Sequence, residues 1–270
     1  KLKKIREDAF RKCSSLRWVK FPATLKEIYG HCFENCTALE DVVFYGDAPL
    51  VVPNDDPEEE MLDQIYRIEE DTQERVSNIV VMGSGEPFDN YDNVMRAIEV
   101  LTADWGFGWS PKRITVSTIG VLPNLKRYLD ECRCHLAVSL HNPFPEERAM
   151  MMPAQKAWNE EDVIALIKQY DFTGQRRVSF EYTMFAGFND DKRHADALVR
   201  MLRGLECRMN LIRFHKIPDF PYDCPPAAIM EAFKDRLNKQ GLTTTIRASR
   251  GEDILAACGM LAGKHKDKSC

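Results

Sequence analysis

The sequence predicts an α/β protein in two unlike parts, a short solenoid of repeats followed by a parallel sheet with crossover helices. Apolar residues recur at a fixed interval near the N-terminus, which predicts the solenoid. Farther along, short β-branched runs alternate with amphipathic stretches, which predicts strands joined by helices. The 270 residues are 44% hydrophobic and 29% charged, a composition that excludes collagen-like and wholly disordered proteins.

The first part, residues 1–53, is interpreted as two copies of one repeat. Its residues Ala9-Phe10-x-x-Cys13 and Phe33-x-x-Cys36 resemble the BspA-like leucine-rich repeats of bacterial surface proteins. About three copies are needed to stack a stable core, so we expect its terminal faces to need cover, and we expect a protein partner to bind this fragment. The residues that match at an offset of 23 positions are Leu2, Ile5, Phe10, Cys13, Leu16, Val19 and Phe21, then Leu25, Ile28, Phe33, Cys36, Leu39, Val42 and Phe44.

An acidic segment containing proline, residues 54–59, is predicted to link the repeat to the second part, residues 60–270. The net charge is −5, and the excess acid is concentrated around this seam. The remainder is close to neutral, so the composition does not exclude RNA as a partner. No apolar run of about 18 residues and no signal peptide is recognisable, so we expect a cytoplasmic protein with reduced cysteines and no membrane contact.

The second part has the alternating pattern of a parallel sheet, either open or closed into a barrel. In such folds ligands bind at the carboxyl ends of the strands. The predicted strands are residues 79–82, 114–118, 136–140, 178–184, 209–213 and 243–246. The predicted helices are residues 91–103, 122–131, 160–169, 191–204, 226–239 and 252–262.

Small and polar residues follow four of these strands. Glycine allows a backbone to approach a ligand, and Ser, Glu and His side chains can orient its polar atoms. Any one segment is most simply explained as a turn between strand and helix, but the four together favour a ligand site. The segments are 82–87, 117–120, 139–142 and 213–215.

From about Glu60 to Lys264, the sequence resembles the radical-SAM adenine-C2 methyltransferases that act on 23S rRNA and tRNA. The resemblance implies a partial radical-SAM (β/α) barrel that lacks its first strand. The order and spacing of six motifs carry it: Gly83-Ser84-Gly85-Glu86-Pro87, Ile114–Gly120, Leu136–His141, Phe188-Asn189-Asp190, Asn210–His215 and Arg250–Gly259.

The resemblance also implies roles for individual residues. One S-adenosylmethionine methylates Cys258, and a second yields a 5′-deoxyadenosyl radical that takes a hydrogen from the S-methyl group, so that its carbon attacks C2 of adenine. Considered without the resemblance, Cys258 is more simply a small buried residue of a helix. Glu86 meets the ammonium group of S-adenosylmethionine, and the residues implied to bind this cosubstrate are Gly85, Glu86, Ser117, Ser139, Leu140, His141 and His215.

The chain departs from the family at the [4Fe–4S] cluster, which a Cys-x3-Cys-x2-Cys motif holds. Cys32 and Cys36 have the first spacing, but Leu39 occupies the third position and cannot bind iron. The repeat explains these residues without chemistry, since Cys36 copies Cys13. We therefore expect no metal ligands here, and no radical chemistry by this chain alone.

Two functions remain open. The resemblance implies methylation of an adenine in 23S rRNA and tRNA, with S-adenosylmethionine as cosubstrate and a flavodoxin-type electron donor. The alternative is a non-enzymatic binding module, in which the repeat engages a partner and the barrel is a retired scaffold. Glu86, His141 and Cys258 favour the first, because a retired site has no chemical need for the three together.

Overall fold

A computed structural model of the chain comprises two compact units, Lys1–Val76 and Ser77–Cys270. Cys258 and the predicted helix 252–262 lie outside the residues that the structure describes. The described residues are 2–5, 9–25, 27–29, 32–33, 35–44, 50–52, 57–82, 85–174, 176–216 and 221–247.

The described residues of the first unit form short parallel strands and one helix. Strands β1, β3 and β5 form one sheet in that order, and β2 pairs with β4 in another. The elements are β1 (Lys4–Ile5), β2 (Trp18–Phe21), β3 (Glu27–Tyr29), β4 (Asp41–Phe44), β5 (Leu50–Val52) and α1 (Pro57–Thr72).

Strand register in the first unit confirms the repeat. Lys4 pairs with Glu27, which pairs with Leu50 on its other side, and Trp18 pairs with Asp41. Each pair joins residues 23 positions apart, the offset that the sequence predicts. A third strand, β5, therefore continues the stack beyond the two copies that the sequence shows clearly.

Equivalent side chains from successive repeats pack together inside this unit. Phe21, Leu25 and Ile28 are buried in one cluster. The rings of Phe10 and Phe33, which are repeat equivalents, stack with their centroids 5.4 Å apart. The core is thus built from residues that recur at the repeat interval, as expected for a solenoid.

Helix α1 begins inside the segment predicted as a linker and belongs to the first unit. Proline at position 57 suits the first position of a helix, where its missing N–H leaves no bond unmade. After the helix, the backbone N–H of Val76 donates to Glu69 Oε1 at 2.8 Å, which folds the chain back onto α1. The boundary between the compact units consequently falls after Val76 instead of before residue 60.

The second unit alternates strands and helices. Two predicted strands, 114–118 and 178–184, coincide with observed ones, whereas the helix Pro145–Met151 was not predicted. Short 3₁₀ helices occupy Pro87–Asn90, Pro111–Arg113 and Pro153–Lys156. The other elements are β6 (Ile79–Val81), α2 (Tyr91–Thr102), β7 (Ile114–Thr118), α3 (Leu122–Glu131), β8 (His135–Ser139), α4 (Pro145–Met151), α5 (Glu160–Ile167), β9 (Val178–Met184), α6 (Lys192–Met201), β10 (Cys207–Arg213), α7 (Ala227–Lys239) and β11 (Thr244–Ile246).

Six strands form one parallel sheet in chain order, from β6 at one edge to β11 at the other. All neighbouring strands are parallel. Parallel strands joined by helices place all their carboxyl ends at one edge of the sheet. This edge is where the sequence predicts the ligand site. Among the described residues, no helix is both long and apolar enough to cross a membrane.

The two faces of this sheet differ in polarity. On one face the side chains are large and fully covered; Phe180 and Tyr182 are examples, and the Tyr182 ring stacks on Phe233 of α7 with centroids 5.6 Å apart. Residues of the opposite face alternate with these and include Ser139, Glu181 and other polar residues. Apolar packing therefore stabilises one face and leaves a polar face that can meet a ligand.

Candidate ligand site at the carboxyl ends of the strands

Glu86 joins the segments that follow β6 and β7. Its Oε1 accepts a hydrogen bond from the N–H of Phe88 at 2.9 Å, which caps the first 3₁₀ helix. Its Oε2 accepts from the N–H of Ile119, the residue after β7, at 2.8 Å. Each carboxylate oxygen can accept a second hydrogen bond, so a ligand donor can still bind to this fixed carboxylate.

Glycines on both sides of this connection have backbone conformations that other residues rarely adopt. Gly85 has a φ of 119°, and an added Cβ would meet no atom within 4 Å, so open space lies beside its backbone. Gly120 has a φ of 101°, and there a Cβ would lie 2.6 Å from Val163 Cγ2. Gly85 thus allows approach from outside, whereas Gly120 allows the turn after β7 to pack against α5.

Arg148 holds the backbone at the end of β8. The residue is 1% exposed, and its guanidinium donates to the carbonyl oxygens of Ser139 and Leu140, each at 2.9 Å. It also bonds the Gln155 side chain. The loss of hydration lowers the pKa of Arg148, although a guanidinium stays charged. A buried cation thereby fixes the backbone of the segment that carries three predicted site residues.

His141 lies in the left-handed region, with a φ of 58°. Such a conformation is strained for a residue with a side chain and needs support from its surroundings. The His141 N–H donates to the Glu181 carbonyl at 3.2 Å, and its own carbonyl accepts from the Asn189 side chain at 2.8 Å. Its Nδ1 accepts from the N–H of Thr183 at 3.0 Å. Strand β9 and the segment after it therefore determine both the backbone and the ring position of His141.

The protonation state of His141 follows from these contacts. Loss of hydration, with a smaller repulsion from Arg148, lowers the pKa of His141 to about 4. The imidazole is therefore neutral near pH 7, and because Nδ1 accepts a hydrogen bond, the proton lies on Nε2. At neutral pH the ring can offer a hydrogen-bond donor to a ligand without adding a positive charge.

Asn189 connects His141 to the end of β9. It is fully buried; besides the His141 carbonyl, its amide group bonds the Thr183 carbonyl at 2.8 Å, and its oxygen accepts from the Phe185 N–H at 2.7 Å. The Tyr182 hydroxyl donates to the Asn189 carbonyl at 2.8 Å. Asn189 is therefore saturated by the protein and acts by positioning His141.

The remaining predicted site residues differ in location and in exposure. Ser117 is 7% exposed on the polar face of β7, and Ser139 is partly buried on the same face of β8. The Leu140 side chain is buried in the apolar core, so only its backbone remains for a ligand. His215 is partly buried just after β10. Cys258 lies outside the described residues.

Several residues that shape this edge were not predicted from the sequence. Asn189 lay in a recognised motif without an assigned role, and Glu181 could have been noticed as a charged residue within an apolar strand. Nothing in the sequence around Arg148 indicates burial, because its partners are backbone carbonyls brought together by the fold.

The residues that imitate a cluster motif do not fit an iron–sulfur cluster. Cys32 is buried in the repeat core, and burial raises the pKa of its thiol, which disfavours the thiolate that iron requires. Cys36 Sγ donates to the Phe10 carbonyl at 2.9 Å. Leu39 provides no ligand. Within the described residues, no three His, Cys, Asp or Glu side chains form a group that could hold a metal ion.

Comparison with known proteins identifies the class to which this fold belongs. The sequence profile of the Radical SAM superfamily matches residues 31–198, and that of the BspA type leucine rich repeat region matches residues 1–48. The crystal structure of a radical SAM methyltransferase from Sphaerobacter thermophilus superposes with a TM-score of 0.71 at 33% identity, covering 90% of this chain and 69% of that one.

The chain therefore belongs to the radical SAM superfamily, with a BspA-type repeat region at its N-terminus. It is similar to the probable dual-specificity RNA methyltransferase RlmN of Porphyromonas gingivalis, with 58% identity over 210 residues, 78% of this chain and 61% of that protein. The protein of the same name from Parabacteroides distasonis is 57% identical over 203 residues, 75% of this chain and 59% of that protein. The chain spans about 60% of the length of these curated relatives.

Proposed function

We propose that the second unit binds S-adenosylmethionine at the carboxyl edge of its sheet and belongs to an RNA methyltransferase. The observation that carries this proposal is the convergence of three strand ends: Glu86 links the segments after β6 and β7, while Arg148 and β9 hold Ser139–His141. The similarity to proteins named as dual-specificity RNA methyltransferases supports the activity.

In this proposal Glu86 and the backbone at Gly85 receive the methionine end of the cosubstrate. Ammonium is a suitable third donor for a carboxylate already fixed by two backbone N–H groups. The remaining polar atoms of the cosubstrate are bound by the neutral imidazole of His141 and by three further polar side chains, those of Ser117, Ser139 and His215. Leu140 contributes only backbone.

Cys258 is the proposed methyl acceptor. Its thiolate attacks the methyl carbon of the sulfonium, the carbon–sulfur bond of the sulfonium breaks, and S-adenosylhomocysteine leaves with the electron pair. The thiol proton passes to solvent. This displacement needs no electron donor, so we expect it to proceed slowly in this chain alone.

In the step proposed to follow, the methyl carbon is transferred to C2 of an adenine in 23S rRNA or tRNA. This transfer requires an iron–sulfur cluster, and Cys32, Cys36 and Leu39 do not fit the ligands of one. A flavodoxin-type electron donor is therefore needed only by a protein that holds the cluster. We propose that the chain alone stops at the methylated cysteine. A protein partner for the repeat unit remains part of this proposal.

Deuterated S-adenosylmethionine, with a CD₃ group, tests the proposed displacement. We expect mass spectrometry of the digested full chain to show a slow gain of one CD₃ group on the peptide that contains Cys258. A Cys258→Ala variant should lose that gain, whereas Cys224→Ala, the matched control, should retain it. Titration calorimetry with the same cosubstrate measures binding separately.

The outcomes separate the two functions. A labelled Cys258 peptide supports the methyltransferase assignment, and Glu86→Gln should then reduce both binding and labelling. Binding without any labelling, in protein shown by circular dichroism to be folded, contradicts the displacement and favours a retired binding scaffold.

A further inference from the structure

A row of polar side chains crosses four strands on the polar face of the sheet. Ser139 of β8 is the register partner of Glu181 of β9, which is the partner of Asn210 of β10, which is the partner of Thr245 of β11. Register partners in a parallel sheet point to the same side and lie side by side. The row lies on the face where the proposed cosubstrate binds.

Hydrogen bonds along the row converge on one oxygen of Glu181. Thr245 Oγ1 donates to Asn210 Oδ1 at 2.9 Å, and Asn210 Nδ2 donates to Glu181 Oε1 at 2.8 Å. Ser179 Oγ adds a longer bond of 3.3 Å to the same oxygen. The carboxylate is therefore held in one orientation before any ligand arrives.

The second oxygen of Glu181 has no hydrogen bond among the described residues, although it is buried. The side chain is only 8% exposed, and the cationic atom paired with Oε2 among the described residues, Arg247 Nη1, lies 3.8 Å away, beyond hydrogen-bond distance. A buried acceptor without a donor destabilises a fold, so such an atom in a native protein needs an explanation. A ligand that donates a hydrogen bond to Oε2 would provide that explanation.

Charge and position limit what that donor can be. Arg247 already compensates the negative charge and would repel an ammonium group, so a neutral donor is favoured. Moreover, β9 lies three strands from β6, which is about 14 Å along the sheet at the usual strand spacing. A molecule whose methionine end lies at Glu86 reaches β9 only with its nucleoside end.

We propose that Glu181 Oε2 accepts a hydrogen bond from a ribose hydroxyl of S-adenosylmethionine, and that the row Ser139–Glu181–Asn210–Thr245 forms the ribose subsite. The inference rests on the proposed function and assigns a role to a residue outside the predicted site. A hydroxyl is neutral, donates one hydrogen bond and matches a carboxylate oxygen held by other donors.

Titration calorimetry on the full chain tests this subsite with S-adenosylhomocysteine and its 2′-deoxy and 3′-deoxy analogues. We expect the wild-type protein to bind at least one deoxy analogue about tenfold more weakly, since one charge-assisted hydrogen bond is lost. In Glu181→Met this discrimination should fall to about one, because the acceptor is gone. Glu231→Met, which removes a carboxylate from the exposed side of α7, is the matched control and should discriminate like the wild type.

A second variant covers the case in which Glu181→Met fails to fold. Glu181→Gln keeps the shape and one oxygen for Asn210, and it places an amide NH₂ where Oε2 stood; it should bind S-adenosylhomocysteine more weakly and show reduced discrimination. Unchanged discrimination in the variant that folds, or equal binding of all three nucleosides by the wild type, overturns the inference alone. If the wild type binds none of them, the proposed function and the inference fail together.

One further result would overturn the proposed ribose subsite. This result is that Glu181→Met binds S-adenosylhomocysteine more weakly than the wild type does, but binds 5′-methylthioadenosine equally well. That nucleoside keeps the ribose and lacks the amino-acid end, so this result would assign Glu181 to the ammonium group instead.

Discussion

The repeat unit and the sheet unit both contain parallel strands, yet their sulfur-containing and polar side chains have different surroundings. In the repeat, Cys32 is buried among apolar residues and Cys36 bonds a backbone carbonyl, so both cysteines are used in packing. In the sheet, one face is packed, and the other places Glu181 with an oxygen that no described residue satisfies. A cysteine spacing alone therefore does not indicate chemistry, whereas the unsatisfied oxygen of Glu181, at the edge where the ligand is proposed to bind, supports a binding role.

The largest effect on the free energy of unfolding is expected from Arg148, which holds the backbone at the end of β8. Arg148→Met removes the donors of the Ser139 and Leu140 carbonyls and should lower the free energy of unfolding by about 3 kcal/mol, because buried acceptors are left unpaired. Urea denaturation measures this change. Arg200→Met on the exposed face of α6 should change it by less than about 0.5 kcal/mol. Equal losses of stability in Arg148→Met and Arg200→Met would contradict a stabilising role for the buried contacts of Arg148.

A smaller effect is expected from the protonation of His141. The folded pKa is about 4, below the ordinary value of 6.5, so between these values the unfolded state binds more protons. Stability should therefore be constant above about pH 7 and decrease as the pH falls toward 4, by roughly 2 kcal/mol once partial exposure of the ring is allowed for. Urea denaturation at several pH values measures the decrease.

A His141→Asn variant isolates that contribution, because Asn tolerates the left-handed backbone and does not titrate. The pKa of His135 is also lowered by burial and nearby cations, so part of the decrease should persist in the variant. An identical pH profile in both proteins would show that the contacts of His141 do not hold it neutral.

In the repeat unit, removal of a cysteine should have a modest structural effect. Cys36→Ala loses the hydrogen bond to the Phe10 carbonyl and should lower the free energy of unfolding of this unit by about 1 kcal/mol. Hydrogen exchange followed by mass spectrometry of peptides from residues 9–44 measures it within this unit. Cys13→Ala, at the exposed equivalent position, is the matched control and should have little effect.

The smallest effect is expected on the iron content of the protein when Cys32 or Cys36 is replaced. After anaerobic reconstitution, Cys32→Ser and Cys36→Ser should contain the same iron and acid-labile sulfide as the unaltered protein, since neither thiol fits a cluster site. Four irons per chain that disappear in both variants would contradict the packing interpretation and make these cysteines cluster ligands.

Local pattern predicted the strands well and the contacts of the site poorly. The runs Ile114–Thr118 and Val178–Met184 are rich in residues that favour strands, and their bounds coincide with those in the structure. The bonds of Arg148 and Asn189 join residues from separate elements, so no local pattern encodes them. Glu181 was predictable only in part. The sequence shows a charged residue within a strand, but it does not show that one carboxylate oxygen lacks a hydrogen bond from any described residue.

The constant register of the repeat strands has a consequence for how this region can change in length. Since Lys4, Glu27 and Leu50 are paired in one row, gain or loss of a whole 23-residue copy preserves the register of the strands. An insertion of one residue within a strand would instead reverse which side chains face inward. Gene duplication in units of one repeat is therefore tolerated by this part of the molecule, while single-codon insertions in its strands are not.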